Sequence, residues 1–148
     1  MNAFKKLITF LLICLAMHVK PLELYGDDLF TEKPGPYLVY SVAGSGMFAV
    51  FSAVLGALDY YEKGNYAGIK IELCDGYYLD PEMGPNWWEY FFEPINIGNE
   101  QVSHYSFDVS EHLVFADRGF HMPRKRAFEL IQRYVLLKPQ IQNKVDAC

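Results

Sequence analysis

The residues of this 148-residue chain that are best equipped for chemistry fall into three clusters. The first lies between Asp75 and Glu93, where the carboxylates Asp75, Asp80, Glu82, Glu89 and Glu93 surround the aromatic run NWWEYFF, Asn86 to Phe92. Two carboxylates can act as acid and base in sugar chemistry. An aromatic face beside them can stack on a sugar ring while the carboxylates accept its hydroxyls. The competing use of the same rings is core packing, because each buries a large apolar area. The second cluster is the turn Gly44-Ser45-Gly46, where glycines allow close backbone approach and the N–H groups of a following helix can hold an anion. That turn lacks the second half of G-x-G-x-x-G and the lysine of a P-loop, so a plain tight turn is the alternative. The third is Arg124, Lys125 and Arg126, three consecutive cations that could contact a phosphate or form a solvated helix face.

Other constellations are missing. Ser45 has no G-x-S-x-G elbow around it. His104, His112 and His121 lack the H-E-x-x-H spacing, so no metal is expected. Cys14, Cys74 and Cys148 have no paired spacing, and a Cys74 to Cys148 disulfide is allowed but not required. The formal net charge of −5, from 13 Lys and Arg against 18 Asp and Glu, offers no broad field for nucleic acid.

The elements that must position these clusters are legible in the hydrophobic pattern. MNAFKKLITFLLICLA at the start places Lys5 and Lys6 before an apolar run from Leu7 to Ala16, too short to span a membrane and suited to a secretory leader. The leader is expected over residues 1–20, with no stable membrane insertion beyond it and an exported or periplasmic location. A leader without function would leave the protein cytoplasmic. Residues 21–148, in a chain 51% hydrophobic, suffice for one domain with a sizeable core. YLVYSVA, Tyr37 to Ala43, reads as a buried strand. From Met47 the period turns helical, with Met47, Phe51, Val54 and Leu58 on one face, Val50 and Leu55 flanking, and Gly64 as the expected left-handed stop. Gly68 to Leu73 alternates as a second strand. Strand, helix and strand make a βαβ unit, and so an α/β, Rossmann-like domain with parallel strands.

Asp75-Gly76, Asp80-Pro81 and Gly84-Pro85 mark a long loop, after which Asn86 is a candidate N-cap for a short helix carrying the aromatic block, with Glu89 at the capping-box position and Pro94 as the stop. Residues 95–122 read as an irregular polar excursion with short apolar pieces at Tyr105 to Phe107 and Leu113 to Ala116. A helix is predicted from Pro123, with Ala127, Leu130, Ile131 and Tyr134 on its apolar side. A further helical piece follows Pro139, with Ile141 and Val145 one turn apart.

Four stretches in order, GSGMFAVFSAVLGAL, IKIELCDGYYLDPEMG, NWWEYFFEPI and RKRAFELIQRYVLLKPQIQNKVD, resemble the N-terminal half of the fucosyltransferase-like glycosyltransferases, the group that includes nodulation and core α-1,6-fucosyltransferases and the O-fucosyltransferases. The resemblance runs from about Tyr37 to Asp146, and NWWEYFFEPI after the YY-x-DP turn carries most of it. It implies the N-terminal, acceptor-side domain of a GT-B enzyme that transfers fucose from GDP-fucose to a glycan acceptor without a metal or other cofactor. It also implies an acceptor-side or structural place for Gly44, Gly46, Tyr78, Asn86, Trp87, Glu89 and Phe92, and it assigns no catalytic residue. The group's HxRxxD-type donor motif has no counterpart in these residues, since His121-Met122-Pro123-Arg124 matches neither its order nor its acid. The expectation is therefore a truncated homologue in which Arg124, Lys125 and Arg126 would have to meet the phosphates. The alternative is a non-catalytic exported module that binds glycan or protein, with self-association or a complementing protein partner.

Overall fold

The computed structural model describes residues 35–41, 46–76 and 78–146. The expected leader, Gly44 and Ser45 lie outside the described residues. The chain divides into two compact units. One, Glu32–Lys138, holds the sheet and three α-helices. The other contributes, among the described residues, a helix over Pro139–Asp146 with Val145 buried.

Within the larger unit the order is β1 (Tyr37–Tyr40), α1 (Met47–Lys63), β2 (Gly68–Ile71), a 3-10 helix (Trp87–Tyr90), β3 (Asn96–Gly98), β4 (His104–Ser106), α2 (Val109–Phe120) and α3 (Arg124–Tyr134); the helix of the smaller unit is α4. The four strands form one sheet in the order β3-β2-β1-β4. β1 runs parallel to both β2 and β4, with Tyr37 opposite Gly68 on one side and His104 on the other, while β3 is antiparallel to β2. The chain is thus a small mixed α/β domain with a largely parallel sheet. Its βαβ unit β1–α1–β2 is the one the alternation of strand and helix periods predicts.

The central strands bury one face fully, that of Leu38, Tyr40, Ile69 and Ile71, while Val39 and Lys70 on the other are half-buried. Tyr37, Leu38, Tyr40, Ile69 and Ile71 are buried. α1 is buried over most of its circumference, from Val50 through Asp59, and not along one stripe. The second covering element is α2, which approaches α1 through glycine. A Cβ on Gly56 would lie 2.2 Å from the Phe115 carbonyl oxygen, and one on Gly119 would lie 1.9 Å from that of Ser52.

Three expectations need correction. Residues 95–122 are not an irregular excursion, since they hold β3, β4 and the twelve-residue helix α2. The capping box that starts α2 lies in D-V-S-E: Asp108 Oδ1 accepts from the Glu111 N–H at 3.0 Å, and Glu111 Oε2 accepts from the Asp108 N–H at 2.9 Å. Gly64 is extended, at φ −100° and ψ 179°, and not left-handed. A glycine stands there because the Tyr66 ring packs 2.0 Å from where its Cβ would be. The first strand ends at Tyr40 and the second at Ile71, so Ser41 and Leu73 lie beyond the ladders.

Candidate functional site

In an open α/β sheet, loops leaving the carboxyl ends of parallel strands are the usual place for a ligand. Here the loop after β1 ends at Gly46, and the loop after β2 runs from Glu72 to Asn86. One hydrogen bond ties them: the Met47 N–H, first in α1, donates to the Tyr78 hydroxyl at 3.0 Å. Gly46 is extended at φ −60° and ψ 152°, with open space where a Cβ would be. A small residue could therefore stand in its place.

The aromatic block pegs the second loop in place. Asn86 is buried at the head of the 3-10 helix, and its side chain makes four bonds. Its Oδ1 accepts from the N–H groups of Leu73 at 2.9 Å and Trp88 at 3.3 Å. Its Nδ2 donates to the Ile71 carbonyl at 3.0 Å and to Glu89 Oε1 at 2.8 Å. The expected N-cap is thus present, and Glu89 closes it through the Asn86 side chain. Trp87 leans its ring on Tyr78, with centroids 5.2 Å apart, and its Nε1 donates to the Asp75 carbonyl at 3.1 Å. The Tyr90 hydroxyl sits 2.7 Å from the carbonyl oxygens of Asp80 and Gly84 and accepts from the Asp80 N–H at 3.0 Å. Trp88 and Phe92 pack with centroids 4.4 Å apart, beside Phe51 of α1.

These contacts decide how the rings are used. Trp87 is 2% exposed and Trp88 1%, so their faces are taken by protein. Around them Asp75, Asp80 and Glu82 are exposed, and Glu89 and Glu93 half-buried. The loop after β2 therefore presents exposed carboxylates and the half-buried Tyr78, while the two tryptophans are buried.

The basic cluster lies elsewhere. Arg126 of α3 turns onto α1, where its Nε donates to Asp59 Oδ1 at 2.9 Å and its guanidinium also bonds Glu62. Lys63 holds the other oxygen of Asp59 at 2.7 Å, and Arg133 and Tyr134 close on Glu62. Burial alone would push Asp59 and Glu62 above the ordinary carboxylate range. The bonds from Lys63 and Arg126 to Asp59, and from Tyr134 and Arg126 to Glu62, outweigh it and hold both below that range. Arg124 and Lys125 are exposed. A cleft of about 410 Å³ opens there, lined by Asp59, Lys63, Arg118, His121, Met122, Pro123 and Arg126. Lys63 and Arg118 of that lining carry no signal in the linear sequence, because each sits alone on its own helix. Met47 and Asp59 are twelve residues apart on one helix, about 18 Å at 1.5 Å per residue. Gly46, which precedes α1, and Arg126, which binds Asp59 near its last turn, thus stand toward opposite ends of that helix.

The histidines are also dispersed. His104 is on β4, His112 is buried on α2 with its Nδ1 against the Tyr40 hydroxyl, and His121 caps the end of α2. Among the described residues no three His, Cys, Asp or Glu side chains gather as a metal site, and no helix is long and apolar enough to cross a membrane. Comparison with models of known protein families, with curated proteins and with solved structures finds no match to this chain.

Proposed function

We propose that this chain is a fucosyltransferase-like glycosyltransferase domain of the acceptor side, exported through the secretory pathway or to the periplasm, which takes a glycan acceptor with GDP-fucose as the sugar donor. The observation that carries this reading is the bond between Met47 N–H and Tyr78, which ties two of the stretches that resemble that group at the carboxyl ends of the parallel strands. A third stretch, with Asn86 and Trp87, holds the loop that carries Tyr78.

Transfer needs a base near the acceptor hydroxyl and positive groups near the departing diphosphate. The exposed carboxylates Asp75, Asp80 and Glu82 supply candidates for the first. For the second, Arg126 is committed to Asp59 and Glu62, and Arg124 and Lys125 stand beside it in the first turn of α3. The acceptor part of the reading is therefore better supported than the donor part. Commitment of Arg126 to the α1–α3 contact favours, as second reading, an exported module that binds glycan without transferring sugar.

Calorimetric titration of the full chain with GDP-fucose, with GDP as competitor, and separately with fucosylation-acceptor oligosaccharides separates the readings. The first reading expects saturable GDP-fucose binding displaced by GDP, and oligosaccharide binding weakened in Tyr78→Phe. Oligosaccharide binding without nucleotide binding leaves the second. A folded chain that binds neither overturns both.

A further inference from the structure

We infer that the cleft where α1, α2 and α3 meet is a binding site for a phosphate group, carried by a small organic molecule or free as the inorganic ion. The inference does not depend on the sugar-transfer reading. The cleft, of about 410 Å³, is lined by cations from three helices: Lys63 in the last turn of α1, Arg118 in the last turn of α2 and Arg126 in the first turn of α3, with His121 at the end of α2. Its volume lies in the range of small-molecule sites and exceeds what a phosphate ion fills.

The acid in the lining, Asp59, is buried and spent, since Oδ1 accepts from Arg126 at 2.9 Å and Oδ2 from Lys63 at 2.7 Å. It anchors both cations and uses one of the three N–H donors that an ammonium carries. Arg118 is the cation that decides the reading. Its guanidinium lies over the Tyr60 ring, 5.6 Å from the centroid, and among the described residues no carboxylate pairs with it. A guanidinium held on an aromatic face keeps its N–H fork for an acceptor, and that fork matches two oxygens of a phosphate. The acids at the border are turned to other groups: Glu62 holds Arg126, Arg133 and Tyr134, Asp117 faces His121 at 3.4 Å, and Glu129 stands 3.8 Å from Arg126. The C-termini of α1 and α2, whose dipoles oppose an anion, are offset by Lys63 and Arg118 in their own last turns. α3 begins here with no acid in its first turn and no side chain capping it, so its first N–H groups add to the attraction.

Calorimetric titration of the full chain with inorganic phosphate and with glycerol 3-phosphate, in about 0.15 M sodium chloride to screen diffuse surface charge, tests the inference. The expected result is saturable binding that Arg118→Gln weakens by at least about tenfold. Arg124→Gln removes the same charge from α3 outside the lining, about 200° around the helix from Arg126, and should change the affinity by less than about twofold. Both side chains are exposed, and circular dichroism confirms that the variants fold. Lys63→Gln takes the place of Arg118→Gln if the latter does not. Tighter binding of glycerol 3-phosphate assigns the site to a phosphorylated small molecule, and equal or weaker binding assigns it to the free ion. A folded chain that binds neither probe overturns the inference, as does binding that Arg118→Gln and Arg124→Gln weaken alike or that neither weakens.

Discussion

Asn86 is where the local sequence and the tertiary structure meet in one side chain. Its place before a hydrophobic run with Glu three residues later identifies an N-cap. Its bonds to Leu73 and Ile71, which pin the loop to the end of β2, depend on residues more than a dozen positions away. Asn86→Ala leaves the buried Leu73 N–H and Ile71 carbonyl without these partners and should lower stability by about 2–4 kcal/mol, read from urea unfolding at unchanged slope. His112 makes a second residue-scale prediction. Burial lowers its tendency to take a proton, so the folded protein favours the neutral ring facing Tyr40. The unfolded chain then binds the extra proton more readily. Stability should be full above the ordinary histidine value of about 6.5 and fall as the pH drops through it toward the lower folded value. Thermal midpoints measured across that window should show the fall in the native protein and a flatter profile in His112→Gln.

At the scale of elements, the contact between α1 and α2 governs the helical layer. It is made by backbone approaching backbone at Gly56 and Gly119. Alanine is the better helix former by about 1 kcal/mol, so propensity alone makes Gly56→Ala stabilising. The close contact with the Phe115 carbonyl reverses the sign, and we expect a net loss of about 1–3 kcal/mol, measured by chemical denaturation. A gain in stability would show that the two helices separate at no cost. The same helix explains why residues 95–122 read as irregular. The apolar residues of α2 lie on two faces, one toward α1 and one toward solvent, so no single stripe stands out. The capping box of Asp108 and Glu111 is the local signal that could have located its start.

For the whole molecule, both tryptophans belong to the interior. Native emission should be blue-shifted and poorly quenched by acrylamide, and unfolding should raise quenching to that of free indole. Oligosaccharide bound beside Tyr78 should leave that emission nearly unchanged, because both indoles are buried. Strong acrylamide quenching in the native state would place a tryptophan at the surface and reopen the stacking role. Trp88→Ala should cost about 3–5 kcal/mol, the range for emptying a buried aromatic site. By itself the sequence determined the βαβ unit, the cap at Asn86 and the helices from Arg124 onward, because periodicity, caps and turn residues act over a few neighbours. Only the tertiary structure decided that the tryptophans are buried, that Arg126 closes on α1, and that Gly46 and Arg126 stand toward opposite ends of that helix. Those outcomes depend on which distant groups compete for the same ring face or charge, and local spacing carries no record of that competition.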